Sequence, residues 1–178
     1  MAASTEHMHW QQRRLAADTV AREFSVSAQT FADTFVQYVE MANQGDSPLL
    51  LETRRRESCA LIWAAVEATF GASAFTEDER LKVVPMVRDA LVPSWRKYRA
   101  DSEDFVTRVR ERSADYLRHQ DPLSQIKTAT GFMNELIANL DAEALKLLPV
   151  RTLTALLAHR MLSDVRRLNE IKSGHTVA

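Results

Sequence analysis

Apolar residues recur every three or four positions along almost the whole chain, and this spacing predicts amphipathic α-helices. No stretch alternates apolar and polar residues with enrichment in β-branched types, as a half-buried strand would. The sequence therefore predicts an all-α protein, with one domain over residues 1–178, frayed ends at 1–4 and 173–178, and a bundle of about six to eight helices. The clearest helix begins at Pro149, and its inward positions are Val150, Leu153, Leu157, Met161, Val165, Leu168 and Ile171.

Capping residues and prolines mark where the predicted helices begin and end. Ser47-Pro48 predicts the start of a helix that ends near Phe70, because proline fits the first helical position. Thr76 to Glu79 has the pattern of a capping box. Pro85 is expected to kink the helix that follows, and Pro93 to end it. The remaining predicted helices cover residues 5–24, 27–43, 102–119, 121–140 and 141–148.

Apolar residues at helical spacing also mark the inward positions of two further predicted helices. The first helix after residue 76 carries Leu81, Val84, Val87 and Leu91 at helical spacing. The helix expected to open at Asp121-Pro122 carries a longer apolar set, namely Leu123, Ile126, Met133, Leu136, Ile137 and Leu140.

Composition and charge exclude several classes of protein. The 178 residues include 23 Lys and Arg against 24 Asp and Glu, and 46% are hydrophobic, which argues against disorder. A single cysteine excludes a disulfide framework and any multi-cysteine metal site. The longest apolar run, Cys59 to Val66, is shorter than the roughly 18 residues of a membrane span. With no signal-peptide pattern at its N-terminus, the chain is expected to be cytoplasmic and not attached to a membrane.

Motifs for catalysis and metal binding are sparse. The metalloprotease pattern His-Glu-x-x-His and the nucleophile elbow Gly-x-Ser-x-Gly are both missing from the sequence. We therefore expect no metal and no cofactor. One pair of residues, Arg112 and His119, is separated by two turns of a predicted helix, so both side chains lie on the same flank. The pair resembles the Arg-x4–6-His signature of HEPN-type ribonucleases, helical proteins that cut RNA, and the resemblance implies a catalytic role for these two residues.

The segment Thr19 to Phe31 resembles the helix-turn-helix of bacterial repressors. The resemblance implies a break at Ser25, a DNA-binding unit over about residues 18–36, and a second helix whose DNA-facing residues are Ser27, Ala28, Gln29 and Asp33. However, neither Lys nor Arg occurs between Arg22 and Arg54. Because contacts to phosphate supply most non-specific DNA affinity, this charge pattern argues against nucleic acid as the partner.

We therefore predict a non-enzymatic interaction or regulatory protein that binds a protein partner, or a second copy in a homodimer, through an exposed helical surface. Aromatic residues and arginine are enriched at the centres of such surfaces. Three consecutive leucines at the start of a helix cannot all face one apolar stripe. The outer face of the last helix is a further candidate surface. The residues predicted to contact a partner are Trp95, Tyr98, Arg99, Leu49 and Leu50.

Overall fold

Helices make up nearly all of the chain that the structure describes. The computed structural model describes residues 3–41, 48–95, 102–140, 146 and 148–174. Over these ranges the chain has no strand, so the predicted all-α fold class is confirmed. The predicted helix over 141–148 falls almost entirely outside the described residues. The helices are α1 (Ala3–Met41), α2 (Pro48–Gly71), α3 (Glu77–Trp95), α4 (Ser102–Leu117), α5 (Gln125–Asn139) and α6 (Val150–Gly174).

Helix α2 lies at the centre of the bundle, in contact with each of the other five helices. Its apolar run from Cys59 to Val66 is buried at every position, which explains why this helix lacks a polar face over two turns. The aromatic rings of Phe24 and Phe70 meet at 5.1 Å between centroids and join α1 to the end of α2. No helix within the described ranges is both long enough and apolar enough to cross a membrane.

Helix α1 runs without interruption through the predicted turn, so the predicted break at Ser25 to Ser27 is wrong. The hydroxyl of Ser25 donates to the carbonyl of Ala21, and that of Ser27 donates to the carbonyl of Phe24 at 3.3 Å. A serine side chain can either cap a helix or donate a hydrogen bond to a carbonyl of the preceding turn. Because the stripe of apolar residues is buried on both sides of Ser25, the hydrogen bond to the preceding turn is favoured. The stripe continues at three- and four-residue spacing: Val20, Phe24, Ala28, Ala32, Phe35 and Val39.

The start of α3 confirms the predicted capping box. The backbone N–H of Thr76 donates to Glu79 Oε2 at 2.9 Å, and the backbone N–H of Glu79 donates to Thr76 Oγ1 at 3.4 Å. The predicted end at Pro93 is wrong, because α3 continues to Trp95. Proline disturbs the turn that precedes it and leaves the following residues free to stay helical.

Helix α5 begins later than predicted. Ser124 is its N-cap, with Oγ accepting from the backbone N–H of Lys127 at 3.3 Å. The backbone N–H of Asp121 donates to Thr128 Oγ1 at 2.9 Å, so the residues between them form a fixed turn. Leu123 and Ile126 were expected to face inward. Leu123 lies on this turn and Ile126 is the second residue of α5, and both are exposed.

Gly131 of α5 packs closely against His119, which lies just after the end of α4. A Cβ at this position would lie 2.8 Å from His119 Cβ and 3.0 Å from the carbonyl oxygen of His119. We expect Gly131→Ala to lower the free energy of unfolding by about 1–3 kcal/mol, because the backbone must shift to relieve the overlap. Urea unfolding would measure this change. An increase of about 1 kcal/mol, the gain of alanine over glycine at an open helical site, would contradict the packing described.

Candidate functional site

Arg112 lies at the centre of a polar cluster that joins α2, α4 and α5. Its Nε donates to both carboxylate oxygens of Glu57 at 3.1 Å, and Glu57 is only 2% exposed. Its Nη2 donates to Glu57 at 3.0 Å and to Glu135 Oε1 at 2.9 Å, and its Nη1 donates to Asp115. We refer to these residues together with Tyr116 and His119 as the Arg112 cluster.

The remaining members of the Arg112 cluster attach to its carboxylates. Tyr116 donates its hydroxyl proton to Glu57 Oε2 at 2.9 Å. His119 Nε2 lies 3.2 Å from Glu135 Oε2, and the side-chain amide of Asn139 donates to Glu135 Oε1 at 3.1 Å. The structure therefore brings Arg112 and His119 into one network, as their helical spacing predicted, and connects them through Glu135, which the sequence did not indicate.

The charged residues of the Arg112 cluster are arranged to hold α2, α4 and α5 together. All three guanidinium nitrogens of Arg112 donate to carboxylates, so an RNA phosphate would have to displace Glu57 or Glu135 to bind there. A phosphate at this position would also lie next to the carboxylates of Glu57, Asp115 and Glu135. This geometry does not favour the ribonuclease role of Arg112 and His119, which stays a prediction. Over the part of the chain described, no group of three or more His, Cys, Asp or Glu could hold a metal ion.

Hydrogen bonding and burial shift the pKa values of three members of the Arg112 cluster. Burial alone would lower the pKa of Arg112, but its hydrogen bonds to Glu57 and Glu135 outweigh burial and hold that pKa above its ordinary value. The hydrogen bond from Arg112 likewise lowers the pKa of Glu135. Burial, followed by the charge of Glu57, raises the pKa of Tyr116. At neutral pH the arginine is therefore charged, Glu135 is ionised and the tyrosine is neutral.

The lowered pKa of Glu135 predicts the pH dependence of stability. A carboxylate whose pKa is lower in the folded state contributes stability above its ordinary pKa of 4.5, and this contribution is lost as the pH falls through the lowered value. We expect Glu135→Gln to cost about 1–2 kcal/mol at neutral pH and to lose less stability than wild type on acidification. Urea unfolding between neutral pH and pH values below that pKa would measure both. Parallel pH profiles for the two proteins would contradict the assignment.

The predicted partner-binding residues differ in their exposure to solvent. Trp95 is 1% exposed and packs on Trp63 with 5.5 Å between ring centroids, so the prediction that it contacts a partner is wrong. Its position continues the inner stripe of α3 through Val87 and Leu91, which explains its burial. Leu50 is exposed at the start of α2. Tyr98, Arg99 and the side chain of Leu49 lie outside the described part of the chain.

The predicted DNA-facing residues do not form a separate recognition helix. Ala28 is buried in the core, and Ser27 Oγ accepts a hydrogen bond from Arg160 Nη2 of α6 at 2.5 Å. Gln29 and Asp33 are half-buried on the same continuous helix. Because α6 covers this flank of α1 and no turn precedes it, the predicted helix-turn-helix over residues 18–36 is wrong as a structural unit.

The outer side of α3 carries four exposed apolar residues among those that the structure describes. Leu81 is 68% exposed and Met86 is 45% exposed, and Pro85 and Pro93 are exposed beside them. With a helical step of about 100°, these four positions fall within an arc of about 140°. We refer to them as the α3 outer face. The sequence prediction placed Leu81 on the inner stripe, and the signal it missed is this second apolar stripe on the same helix.

A groove of about 310 Å³ runs beside the α3 outer face. Leu81, Val84 and Pro85 line one wall, and the other wall includes Gly71 at the end of α2 and Gln120 after α4. Two polar contacts hold the walls together. They are the ion pair of Arg88 with Glu67 and the hydrogen bond from Arg80 Nη1 to the carbonyl of Gly71 at 3.3 Å.

Comparison of the chain with protein-family models, with curated proteins and with solved structures gives no match.

Proposed function

We propose that this protein is a non-enzymatic helical protein that acts by binding a protein partner through the α3 outer face. The observation that carries the proposal is the exposure of Leu81 and Met86 on one side of α3, with Pro85 and Pro93 between and beyond them. Apolar patches of this kind on a folded surface are typical of sites that bind another macromolecule. Methionine is also enriched in protein interfaces.

The shape of the α3 outer face supports a protein as the ligand. The helix has 19 residues and is therefore about 28 Å long, which is comparable to the diameter of a small domain. Its inner stripe is anchored by Val87, Leu91 and Trp95 in the core, so the outer side chains are presented on a rigid element. A preformed helix loses little conformational entropy when a partner binds it.

Other exposed apolar residues lie outside α3. Leu123, on the turn before α5, is 93% exposed, and Ile126, in the first turn of α5, is 59% exposed. Leu156 is the exposed large apolar residue of α6, the helix whose outer face the sequence offered as a candidate surface. These positions serve as controls for the proposal.

The two alternative functions receive less support from the described residues. The DNA-binding alternative depended on a turn near Ser25, where α1 is continuous. The ribonuclease alternative depended on Arg112, whose donors are held by Glu57, Asp115 and Glu135. RNA cleavage by the purified protein that disappears in His119→Ala would revive the second alternative.

Charge substitutions on the α3 outer face would test the proposal. The tagged full-length protein and its Leu81→Glu and Met86→Glu variants would be used to capture proteins from an extract of the native host, with quantification by mass spectrometry. We expect each variant to lose a specific partner by about tenfold or more, because a buried carboxylate replaces an apolar contact. Both positions are exposed, so circular dichroism should show unchanged folding.

Leu123→Glu is the matched control, since it places the same charge at a more exposed leucine on the turn before α5 rather than on α3. This variant should retain the partner. Equal capture by wild type and both α3 variants, or equal loss in the Leu123→Glu control, would contradict the proposed site.

A further inference from the structure

Two polar side chains meet over Gly71 in the groove beside the α3 outer face. A Cβ at Gly71 would lie 3.1 Å from Gln120 Nε2 and 3.5 Å from Arg80 Nη1, so both nitrogens lie close to the same point of the groove wall. Both side chains are half-buried. Among the described residues, the guanidinium of Arg80 donates only to the carbonyl of Gly71, at 3.3 Å, and the side-chain amide of Gln120 has no hydrogen-bond partner. The groove therefore presents hydrogen-bond donors that the described chain leaves largely unused.

The other charged groups that line the groove are compensated. Arg88 forms an ion pair with Glu67. Glu77 is exposed on the first turn of α3, where the positive end of the helix dipole stabilises a carboxylate. No carboxylate in the part of the chain that the structure describes forms an ion pair with Arg80. The positive charge of Arg80 is therefore available to a ligand.

We propose that this groove binds a small monocarboxylate with an apolar body, whose carboxylate contacts Arg80 and Gln120. A guanidinium matches a carboxylate with two parallel hydrogen bonds, and the Gln120 amide supplies a further donor. The apolar body packs against Leu81, Val84 and Pro85, which line the same groove. Apolar walls with a few convergent polar groups are typical of small-molecule sites.

The size and charge of the groove narrow the class of ligand. Its volume of about 310 Å³ lies at the lower end of the range for ligand pockets, so the ligand is small. The carboxylates of Glu67 and Glu77 line the groove as well, and they repel a ligand with two negative charges more strongly than a ligand with one. This favours a monocarboxylate over a phosphate.

NMR titration of the ¹⁵N-labelled full-length protein with phenylacetate would test this inference. We expect a Kd of about 1 mM or tighter for a ligand of this size, with the largest amide shifts near Gly71, Arg80 and Gln120. Arg80→Met should weaken binding by about tenfold or more, and Gln120→Leu by a smaller factor. Arg80→Lys should give an intermediate affinity, because it keeps the charge and loses the paired donors.

Neutral and doubly charged probes distinguish carboxylate recognition from general stickiness. Phenylacetamide, which has the same shape without the charge, and inorganic phosphate should each bind at least about tenfold more weakly than phenylacetate. Arg118→Met, which removes a largely exposed arginine outside the groove, should leave the affinity unchanged. Absence of phenylacetate binding at about 10 mM, equal binding of phenylacetamide, tighter binding of phosphate, or unchanged affinity in Arg80→Met would overturn the inference.

The carboxylate site goes beyond the proposed function and is tested separately from it. Met86 belongs to the α3 outer face and does not line the groove, whereas Arg80 lines the groove and is not part of that face. Met86→Glu should therefore retain phenylacetate binding, even though it is expected to lose the protein partner. Loss of phenylacetate binding in Met86→Glu to the same extent as in Arg80→Met would contradict a site centred on Arg80.

Discussion

Replacement of Arg112 by methionine should lower the free energy of unfolding by about 3–5 kcal/mol, the range for removal of one partner from a buried ion pair. Glu57, which accepts three of the hydrogen bonds of Arg112, would remain almost completely buried and would keep only the Tyr116 hydroxyl and Arg56, at 3.6 Å, beside its carboxylate. Glu135 would lose its contact with the same guanidinium. Methionine retains much of the apolar stem, so the loss would report mainly on the charge and the hydrogen bonds.

Unfolding by guanidinium chloride at neutral pH, where Glu135 is ionised, would measure the change in the free energy of unfolding. Arg118→Met is the matched control. Arg118 directly follows α4, its side chain is largely exposed, and it forms an ion pair with Asp115 at 3.2 Å. Exposed ion pairs contribute about 0–1 kcal/mol. A loss in Arg112→Met no larger than that in Arg118→Met would show that the Arg112 cluster does not hold α2, α4 and α5 together.

Val26→Pro should lower the free energy of unfolding by about 3 kcal/mol or more, because a proline inside a helix removes a backbone hydrogen bond and clashes with the preceding turn. Val26 lies in the middle of α1 and its side chain is 65% exposed, so the valine itself contributes little packing. Buried residues on both sides, Phe24 and Ala28, would have to move if the helix were kinked.

Thermal and urea unfolding of Val26→Pro would be compared with Val26→Ala, which should leave stability within about 0.5 kcal/mol. Ser25→Gly adds a test in which the two structures predict opposite changes in the free energy of unfolding. It should destabilise a continuous helix by about 0.5–1 kcal/mol, and it should stabilise a turn that needs a left-handed backbone at that position. Tolerance of Val26→Pro together with stabilisation by Ser25→Gly would restore the helix-turn-helix.

The sequence predicted a helix end correctly where contacts between neighbouring residues alone decide it. The capping box of Thr76 and Glu79 needs only residues of one turn, and it forms as predicted. The break at Ser25 was predicted wrongly because a serine side chain can either begin a helix or donate into one. Burial of Phe24 and Ala28 against other helices decides between these outcomes, and that burial depends on residues distant in sequence.

The candidate sites were less predictable, because each depends on which helices meet. Helical spacing was sufficient to place Arg112 and His119 on one flank, but Glu57 is 55 positions away from Arg112 in the sequence. Helix α3 carries apolar residues on both its inner and its outer side, and periodicity alone does not indicate which side faces the core. The structure buries the stripe that contains Trp95 and leaves Leu81 in solvent.

Binding of protein by the α3 outer face is tested most directly by photo-crosslinking from position 86. A photoreactive amino acid would replace Met86 in the full-length protein, with Leu123 replaced in the same way as the control. We predict a discrete crosslinked protein from position 86, at twice the 20.2 kDa chain mass if a second copy is bound, and much less product from position 123. Equal or lower yield from position 86 than from position 123 would contradict binding at this face.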